Sequence, residues 1–142
     1  MLYGIGCDLC EVARMEKSLS GAHGPAFVRR VFGPAEQAAL GLGAAAEPWP
    51  AGRASAHKAA SAAADFAAKE AFLKAAGTGL AAPFSLCEIE AVRLPSGAPN
   101  YRFSGKTAEW VAAHHLTAKL SLSHDGGMAL AFCTLEQLPP ET

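Results

Sequence analysis

Two acidic residues of this chain lie in surroundings that do not neutralise their charge. Asp8 is on the glycine-lined face of a predicted strand, and Glu70 is flanked by Phe66 and Leu73 on a predicted helix. A carboxylate in apolar surroundings is costly unless a cation neutralises it. Lys74, one turn beyond Glu70, is one candidate cation. A Mg²⁺ ion bound between the two carboxylates is the other, because proteins commonly hold Mg²⁺ with one or two carboxylates together with substrate phosphates.

The charges of this helix also have a simpler interpretation as two ion pairs at i,i+4 spacing. These pairs are Asp65 with Lys69 and Glu70 with Lys74. On a solvent-exposed helix such pairs contribute about 0.2–0.5 kcal/mol each. The helix is apolar around most of its circumference, which predicts burial and favours a functional role for Glu70.

His124 is a candidate for a further polar contact. It ends a predicted strand that places leucines inward and Ser121 and Ser123 on the opposite side. An ordinary hydrogen-bonding histidine at a strand end is one interpretation. A Ser–His nucleophile is a weaker one, because neither serine lies in a nucleophile-elbow pattern.

Cys7 and Cys10 form a C-x-x-C pair. Redox pairs of this kind usually lie at a helix N-terminus, whereas Cys7 is inside a predicted strand. A structural zinc site needs a second pair at similar spacing, and Cys87 and Cys133 stand alone. We therefore interpret the cysteines as packing residues and keep a thiol or zinc protein as an alternative.

The elements that position these residues follow from the periodicity of the N-terminal half. Alternation from Leu2 to Leu9 predicts a strand with one packed face, and its glycines mark a place where a ligand or another backbone comes close. Apolar residues at helical spacing then predict a short helix that ends by Gly24-Pro25. The apolar segment from Phe27 to Phe32 leads to a new helix start at Gly33-Pro34.

The long central helix that carries Glu70 is predicted from about Ala54 or Ala56 to Ala76. Gly77 provides its C-terminal stop. The prolines and glycines upstream prevent an earlier start and predict a mobile loop over about 41–55.

The last third of the chain is predicted to contain mostly strands. These are strands over 86–94, 100–103, 117–123 and 128–135, with a helix over 106–115. Asp125-Gly126-Gly127 joins the last two strands as a hairpin. Because helices and strands do not alternate regularly, the pattern favours an α+β fold with a mainly antiparallel sheet packed against the long central helix. We expect one domain over residues 1–142.

Composition excludes several classes of function. Of the 142 residues 18% are charged and the formal net charge is −1 at pH 7, so there is no basic excess to bind a nucleic acid backbone. No apolar stretch approaches the ~20 residues that span a bilayer. The N-terminus also lacks the basic segment of a signal peptide. We expect a cytoplasmic protein with neither nucleic acid nor membrane as a partner.

Four motifs in this chain carry a family resemblance. They are G-I-G-C-D-L at Gly4 to Leu9, F-A-A-K-E-A-F-L-K-A-A-G-T-G at Phe66 to Gly79, a G-x-P turn at Gly97 to Pro99 and L-S-L-S-H-D at Leu120 to Asp125. In this order they resemble the bacterial holo-acyl-carrier-protein synthases, which are small 4'-phosphopantetheinyl transferases. The resemblance spans nearly the whole chain and is most specific in the long central block. It implies transfer of phosphopantetheine from coenzyme A to a serine of an acyl carrier protein in fatty acid biosynthesis, leaving adenosine 3',5'-bisphosphate.

The resemblance assigns roles to the residues already singled out. Asp8 and Glu70 match the family's metal-binding carboxylates, which hold Mg²⁺, or alternatively Mn²⁺, against the coenzyme A diphosphate. Lys74 matches a lysine that balances the charge on the diphosphate as it breaks. The base that accepts the serine proton is either a metal-bound water or Glu70. Contacts with the nucleotide are implied for Lys69, Gly77, Thr78 and His124.

The resemblance also implies a carrier-protein docking surface and an assembly. In this family acidic carrier proteins dock on the first helix and the segment after it. There the chain offers Arg14, Met15, Lys17, Arg29 and Arg30. The family is usually trimeric with each active site between neighbouring subunits, so we expect a homotrimer.

Two positions depart from the family pattern. Asp65 stands where an Arg usually helps to hold coenzyme A, which weakens phosphate binding unless Asp65 pairs with Lys69 or another basic residue such as Lys58 takes over. Gly33 stands where a Thr or Ser usually caps a helix, a change that destabilises by a few tenths of a kcal/mol at most. Because of Asp65, a non-catalytic coenzyme A or nucleotide-binding module is the alternative function.

Overall fold

The longest element of the computed structural model, which describes residues 1–43 and 49–139, is helix α4 (Gly52–Ala76). Before it come β1 (Leu2–Glu11), α1 (Val12–Ser20), α2 (Gly24–Val31) and α3 (Pro34–Leu40). After it come a 3₁₀ turn (Leu86–Glu88), β2 (Ile89–Arg93), β3 (Pro99–Phe103), α5 (Gly105–Ala113), β4 (Leu116–Asp125) and β5 (Met128–Gln137). None of the described helices is long and apolar enough to cross a membrane.

The strands of the described residues form two antiparallel sheets, which confirms the predicted α+β class. One sheet has three strands in the order β1-β5-β4, and the other pairs β2 with β3. The predicted hairpin is present between β4 and β5, where Gly126 and Gly127 have φ values of 55° and 77°. Positive φ at both central residues is what a two-residue hairpin of this type requires, and glycine adopts it without strain.

Helix α4 is buried along most of its length, as its apolar circumference predicts. Its C-terminal half packs Ala68, Ala71 and Phe72 into a core beneath β1 and β5, and its N-terminal half packs Ala62 and Ala63 against α1 and α2. The Phe72 ring lies within an aromatic cluster with Phe84, Tyr101, Phe103 and Trp110. Burial on all sides fixes the positions from which the polar residues of α4 project.

The glycines of β1 allow α4 to lie directly on the strand. A Cβ atom at Gly4 would overlap the backbone carbonyl of Ala75, and one at Gly6 would overlap that of Ala71. The packed face of β1 is therefore its glycine face, and the backbone that comes close is that of α4. Asp8 lies on the same face, which directs its side chain towards the helix.

The opposite face of the three-stranded sheet is apolar and exposed. It carries Ile5 and Leu9 of β1 beside Leu130 and Phe132 of β5, with exposed fractions of 58%, 60%, 39% and 42%. We refer to these four residues, together with Tyr3, as the outer sheet face. Alternation predicts that β1 has one packed face but not which face the rest of the chain covers.

Two boundaries differ from the sequence prediction. Gly24-Pro25 begins a separate helix, α2, because proline is favoured in a first helical turn and Val28 and Val31 become buried on one side of it. Helix α4 starts at Gly52, so the last residues of the loop predicted over about 41–55 are helical. Residues 44–48 of that loop lie outside the described residues.

Candidate active site

Asp8 and Lys74 form an ion pair where β1 crosses α4. The Lys74 Nζ lies 3.1 Å from Asp8 Oδ1 and donates to the Cys7 carbonyl oxygen at 3.0 Å. The ammonium is thus held by one carboxylate and one main-chain oxygen, and its side chain remains 56% exposed. The i,i+4 pairing of Glu70 with Lys74 expected for an isolated helix is replaced by this tertiary pair.

Glu70 lies one turn before Lys74 on the same side of α4 and is half-buried. Burial raises the pKa of Glu70, the negative charge of Asp8 raises it further, and the positive charge of Lys74 opposes both effects. Gly6, on the same face of β1 as Asp8, lies against the backbone carbonyl of Ala71, so Asp8 and Glu70 are both near the point where β1 crosses α4. Two carboxylates beside one lysine leave a local negative charge that a further cation would neutralise.

The donor set at this point fits a hard divalent cation. Asp8 and Glu70 supply carboxylate oxygens, which Mg²⁺ prefers, and Mg²⁺ commonly takes its other ligands from water and phosphate. Within residues 1–43 and 49–139, no group of three or more His, Cys, Asp or Glu side chains is arranged to hold a metal ion. The chain therefore offers a two-carboxylate site that a phosphate substrate would complete.

His124 lies far from this pair within one chain. It is exposed on β4. His124 is paired across the sheet with Ala129 of β5, and Ala129 is in turn paired with Cys10 of β1. Because β1 and β4 are the two edge strands, His124 and Asp8 are separated by two strand spacings, roughly 10 Å. The residue of α4 that lies near His124 is Ala60. Ala60 precedes Glu70 by ten residues, which is about 15 Å along the helix axis.

Gly77 and Thr78 follow the site at the C-terminal end of α4. Gly77 has a φ of 82° and closes the helix by donating its N–H to the carbonyls of Leu73 and Lys74. Thr78 is exposed, and its hydroxyl donates to the Gly79 carbonyl oxygen at 3.1 Å. Both residues lie within one turn of Lys74, and their contact with a nucleotide stays a prediction.

The structure corrects the role predicted for Lys69. Its side chain is fully buried and its ammonium contacts the Glu36 carboxylate, with further hydrogen bonds to the carbonyl oxygens of Ile89 at 2.6 Å and Leu86 at 3.1 Å. Glu36 also accepts the N–H groups of Gly33 and Ala91 at 3.1 and 3.0 Å. The predicted contact of Lys69 with the nucleotide is therefore wrong, because the ammonium group of Lys69 is enclosed in the core that joins α3, α4 and β2.

Asp65 faces the same interior and not the carboxylate pair. Burial raises the pKa of its carboxyl group to about 8, with a further contribution from the charge of Glu36, while Lys69 and Arg93 oppose the shift. The predicted ion pair with Lys69 is absent from the described residues, since Lys69 is occupied by Glu36. Asp65 is five positions before Glu70 on α4, which turns the two side chains about 140° apart.

The other departure from the family pattern, Gly33, has a steric cause. A Cβ atom at this position would overlap the side chain of Glu90 and the carbonyl oxygen of Cys87. The Gly33 N–H instead donates to Glu36 Oε1 at 3.1 Å, so the side chain three residues later closes the start of α3. Glycine is thus required here by space, and not only tolerated as a weak helix cap.

Lys58 holds the segment before α4 in place. Its ammonium donates to the Gly41 carbonyl oxygen at 2.9 Å and lies 5.3 Å from the centre of the Trp49 ring. It lies twelve residues before Glu70, about 18 Å along the helix. A contact of Lys58 with coenzyme A stays a prediction, and within one chain that contact is remote from Glu70.

The residues predicted to dock a carrier protein divide into two groups. Arg14, Lys17, Arg29 and Arg30 are exposed on α1 and α2. Met15 is only 4% exposed and packs in the core beneath α1, so its predicted role as an apolar docking contact is wrong. The reason is its spacing from Leu19, which places both on the buried stripe of α1.

Cys7 and Cys10 point to opposite faces of β1, because they are three positions apart in a strand whose side chains alternate between the two faces. One metal ion therefore cannot be bound by both thiols of the C-x-x-C pair.

What sequence reasoning missed near the site is the Cys7 carbonyl oxygen that accepts a hydrogen bond from Lys74. No side-chain pattern could have signalled it, because main-chain acceptors are common to all residues.

Comparison with known proteins identifies the family of this chain. The family model described as the 4'-phosphopantetheinyl transferase superfamily matches residues 4–133. The chain belongs to this superfamily. The match includes Asp8, Glu70, Lys74 and His124, and it confirms the resemblance found in the four sequence motifs.

Individual relatives of this phosphopantetheinyl transferase cover it almost completely. It is 40% identical over 147 residues to the holo-[acyl-carrier-protein] synthase of Methylobacterium sp. (strain 4-46), an alignment that includes 100% of this chain and 99% of the relative. The crystal structure of the synthase from Neisseria meningitidis superimposes with a TM-score of 0.76 at 29% identity, covering 96% of this chain and 100% of that one. The synthase from Bacillus anthracis, solved in complex with CoA (3',5'-ADP), has a TM-score of 0.72 at 29% identity, covering 97% and 99%.

Proposed function

We propose that this transferase moves the 4'-phosphopantetheine group of coenzyme A to a serine of an apo-acyl carrier protein. The products are the holo-carrier protein and adenosine 3',5'-bisphosphate. The observation that carries the proposal is the convergence of Asp8, Glu70 and Lys74 where β1 meets α4. A pair of carboxylates with one exposed ammonium is suited to a diphosphate whose charge is shared between a metal ion and a lysine.

The reaction consists of one displacement at phosphorus. The serine oxygen of the carrier protein forms a bond to the phosphorus next to pantetheine, and the bridging P–O bond of the diphosphate breaks. Lys74 then faces the negative charge that develops on the leaving phosphate. Mg²⁺, or alternatively Mn²⁺, held by Asp8 and Glu70 would neutralise the diphosphate and orient it.

Glu70 is the candidate among the described residues for accepting the serine proton. A carboxylate is a stronger base when burial and a neighbouring negative charge raise its pKa, as both do here. Asp8 contributes to that effect in addition to its role as a metal ligand. Asp8 and Glu70 thus share the binding of the metal ion, and Glu70 has proton transfer as a second task.

We further propose that the active enzyme is a homotrimer, a number that the family resemblance supplies. The outer sheet face is a contiguous apolar surface that a single chain leaves exposed, and such surfaces commonly mark interfaces. His124 and Asp8 also lie on the two opposite edge strands of one sheet. In an assembly, the His124 of one subunit can approach the carboxylates of the next and contact the nucleotide phosphates there.

Replacing Phe132 with glutamate tests the assembly. Phe132→Glu places a charge in the middle of the outer sheet face, so we expect light scattering to show monomers in place of trimers. Transfer should fall by about 10²-fold or more, because His124 is then absent from the shared site. The matched control is Leu94→Glu, at an exposed leucine outside this face, and it should leave both mass and rate unchanged. Trimers of normal activity in Phe132→Glu would contradict the proposed interface.

The carrier protein is proposed to dock on α1 and α2 through Arg14, Lys17, Arg29 and Arg30. These residues are exposed and have no carboxylate partner within 4 Å in the described part of the chain, so they remain available to an acidic surface. We also propose that residues 1–142 form one transferase domain. The proposed location is cytoplasmic, and the proposed role is in fatty acid biosynthesis.

Intact-mass spectrometry provides the test of this function. Incubation with an apo-acyl carrier protein, coenzyme A and Mg²⁺ should increase the carrier mass by one phosphopantetheine, and chelation of the metal should stop the reaction. Calorimetric titration of the transferase with coenzyme A runs beside this assay. Coenzyme A binding without any mass increase for several carrier proteins would replace the proposal with the alternative of a non-catalytic coenzyme A-binding module.

A further inference from the structure

Three carboxylates meet one ammonium group where α3, α4 and β2 pack together. Glu36 of α3 and Glu90 of β2 are each 1% exposed, and Lys69 of α4 is fully buried. Asp65 lies one turn before Lys69 on the same helix and is half-buried. Lys69 is the only cation paired with any of the three carboxylates in the described part of the chain. Because a buried charge is costly unless it is compensated, this cluster holds more negative charge than one lysine can neutralise.

Glu36 and Glu90 have hydrogen-bond partners that favour their charged forms. The Glu36 carboxylate contacts Lys69 and accepts the N–H groups of Gly33 and Ala91, and Glu90 Oε2 accepts the Glu36 N–H at 2.9 Å. Asp65 makes no side-chain hydrogen bond or ion pair with another described residue. Since hydrogen bonds to a carboxylate stabilise its charge, Asp65 is the member of the cluster least suited to bear one.

The surroundings of Asp65 are mostly small and apolar. Its side chain lines a cavity of about 440 Å³ whose walls also include Ala39, Val92 and Arg93. Arg93 is exposed, and its guanidinium forms no ion pair with Asp65 within 4 Å. This cavity leaves the Asp65 carboxyl group enough exposure to exchange a proton with solvent.

Four charged groups of the packed elements act on Asp65. They are Glu36 from α3, Lys69 from α4, and Glu90 and Arg93 from β2. Burial raises the pKa of Asp65 to about 8, and the negative charges of Glu36 and Glu90 also raise it, whereas the positive charges of Lys69 and Arg93 lower it. The two cations therefore do not compensate for the loss of water.

The contacts that hold α3 pass through the same cluster. This helix has seven residues, and Glu36 joins it to Lys69 of α4 and, through Ala91 and Glu90, to β2. An ionised Asp65 would compete with Glu36 for the Lys69 ammonium, because the two residues of α4 are at i,i+4 spacing. It would also repel both other carboxylates. The charge of Asp65 thus acts on the contacts that fix α3.

We propose that a proton on Asp65 keeps α3 packed against α4 and β2, and that its loss to solvent at alkaline pH loosens this helix. In the neutral form Asp65 leaves Lys69 to Glu36, and the carboxylates of the cluster carry one charge fewer. In the ionised form the junction of α3, α4 and β2 opens first, while the sheet of β1, β5 and β4 stays intact. The device is separate from the candidate active site, because Asp65 and Glu70 project about 140° apart on α4.

The direction of the pH dependence follows from where the proton is held. The folded protein keeps a proton on Asp65 that the unfolded chain releases, since folding raises the pKa of this group to about 8. The stabilisation is complete below about pH 4, the ordinary pKa of aspartate. It declines as the pH rises, and it is lost once the pH passes the raised value.

Direct titration of Asp65 tests the proposal. The chain has three aspartates, Asp8, Asp65 and Asp125, so protein labelled with ¹³C at the aspartate carboxyl groups gives three resonances. Substitution of each in turn by asparagine assigns them, and Asp8→Asn with Asp125→Asn identifies Asp65 even if Asp65→Asn does not fold. We expect the Asp65 resonance to titrate with a midpoint above about pH 6, far beyond the ordinary range. A midpoint below this value would overturn the proposal.

Thermal unfolding at pH 5 and pH 9 measures the effect on stability. Relative to wild type, the melting temperature of Asp65→Asn should shift upward by at least about 5 °C between these two pH values, because asparagine stays neutral throughout. Asp125→Asn is the matched control at an exposed position of the β4–β5 hairpin, and it should follow wild type. An Asp65→Asn protein whose melting temperature depends on pH as that of wild type does would contradict the proposal.

Hydrogen exchange locates the opening. Protection of the Gly33, Glu36 and Ala91 amides, whose N–H groups donate within the cluster, should fall at least about tenfold between pH 6 and pH 9 after correction for the intrinsic exchange rate. The amide of Cys133 in β5 should keep its protection, and Asp65→Asn should keep it at all four positions. Equal loss of protection in β5 would indicate global destabilisation and would overturn the assignment to α3.

Discussion

Glu70→Gln should reduce the rate of phosphopantetheine transfer by about 10³-fold or more and leave the protein folded. The amide keeps the shape of the side chain but removes the charge that binds a metal ion and accepts a proton. The melting temperature should stay equal or rise slightly, because burial and, after it, the charge of Asp8 raise the pKa of Glu70 and so disfavour its ionised form. Intact-mass spectrometry of the carrier protein measures the rate, and thermal unfolding measures the stability.

The control for this substitution is Glu109→Gln, which removes the same charge from an exposed position on α5. It should transfer phosphopantetheine at the wild-type rate. A Glu70→Gln protein of near-normal rate would remove Glu70 from the metal site and from proton transfer. Loss of rate together with a large fall in melting temperature would indicate a structural role instead.

Lys69→Met should destabilise the protein by about 3–5 kcal/mol, because it leaves the carboxylate of Glu36 buried without its cation. The carbonyl oxygens of Leu86 and Ile89 lose their donor at the same time. For a chain of this length the melting temperature should fall by roughly 10–15 °C. Differential scanning calorimetry measures this effect without any assay of activity.

Two further proteins separate this core role from a nucleotide contact. Lys106→Met, at an exposed position on α5, should melt as wild type does. Adding Glu36→Gln to Lys69→Met should restore part of the stability, because the buried charge is then gone. A Lys69→Met protein that melts normally but has a raised KM for coenzyme A would return Lys69 to the nucleotide pocket.

Lys69 and Lys74 show which parts of the site the sequence can predict. Strand alternation around Asp8 and the apolar circumference of α4 were enough to predict that Asp8 and Glu70 converge. Local i,i+4 spacing offered Asp65 for Lys69 and Glu70 for Lys74 as the simpler alternative, and neither pair forms among the described residues. Lys74 contacts Asp8, 66 residues away in sequence, and Lys69 contacts Glu36, 33 residues away. Such pairs depend on how the helices and strands pack together, and residue spacing along one helix does not predict that packing.

Met15 shows a second source of error. Its spacing from Leu19 predicts a place in the core, whereas the family resemblance suggested an exposed docking contact. The structure follows the spacing, because a residue on the apolar stripe of α1 is buried against α4 whatever the helix docks. The hairpin at Gly126-Gly127 was predictable because its signal is local.

The packing of α4 on Gly4 and Gly6 has a consequence for how the site tolerates change. The separation of the two carboxylates is set by how closely a helix backbone can approach a strand backbone, and not by the ligands themselves. A single added methyl group at Gly6 would force Ala71 and the adjoining turn of α4 outward. Glu70 precedes Ala71 and would move with it. The chemistry of this protein therefore depends on two positions whose side chains must be missing, although neither position touches a substrate.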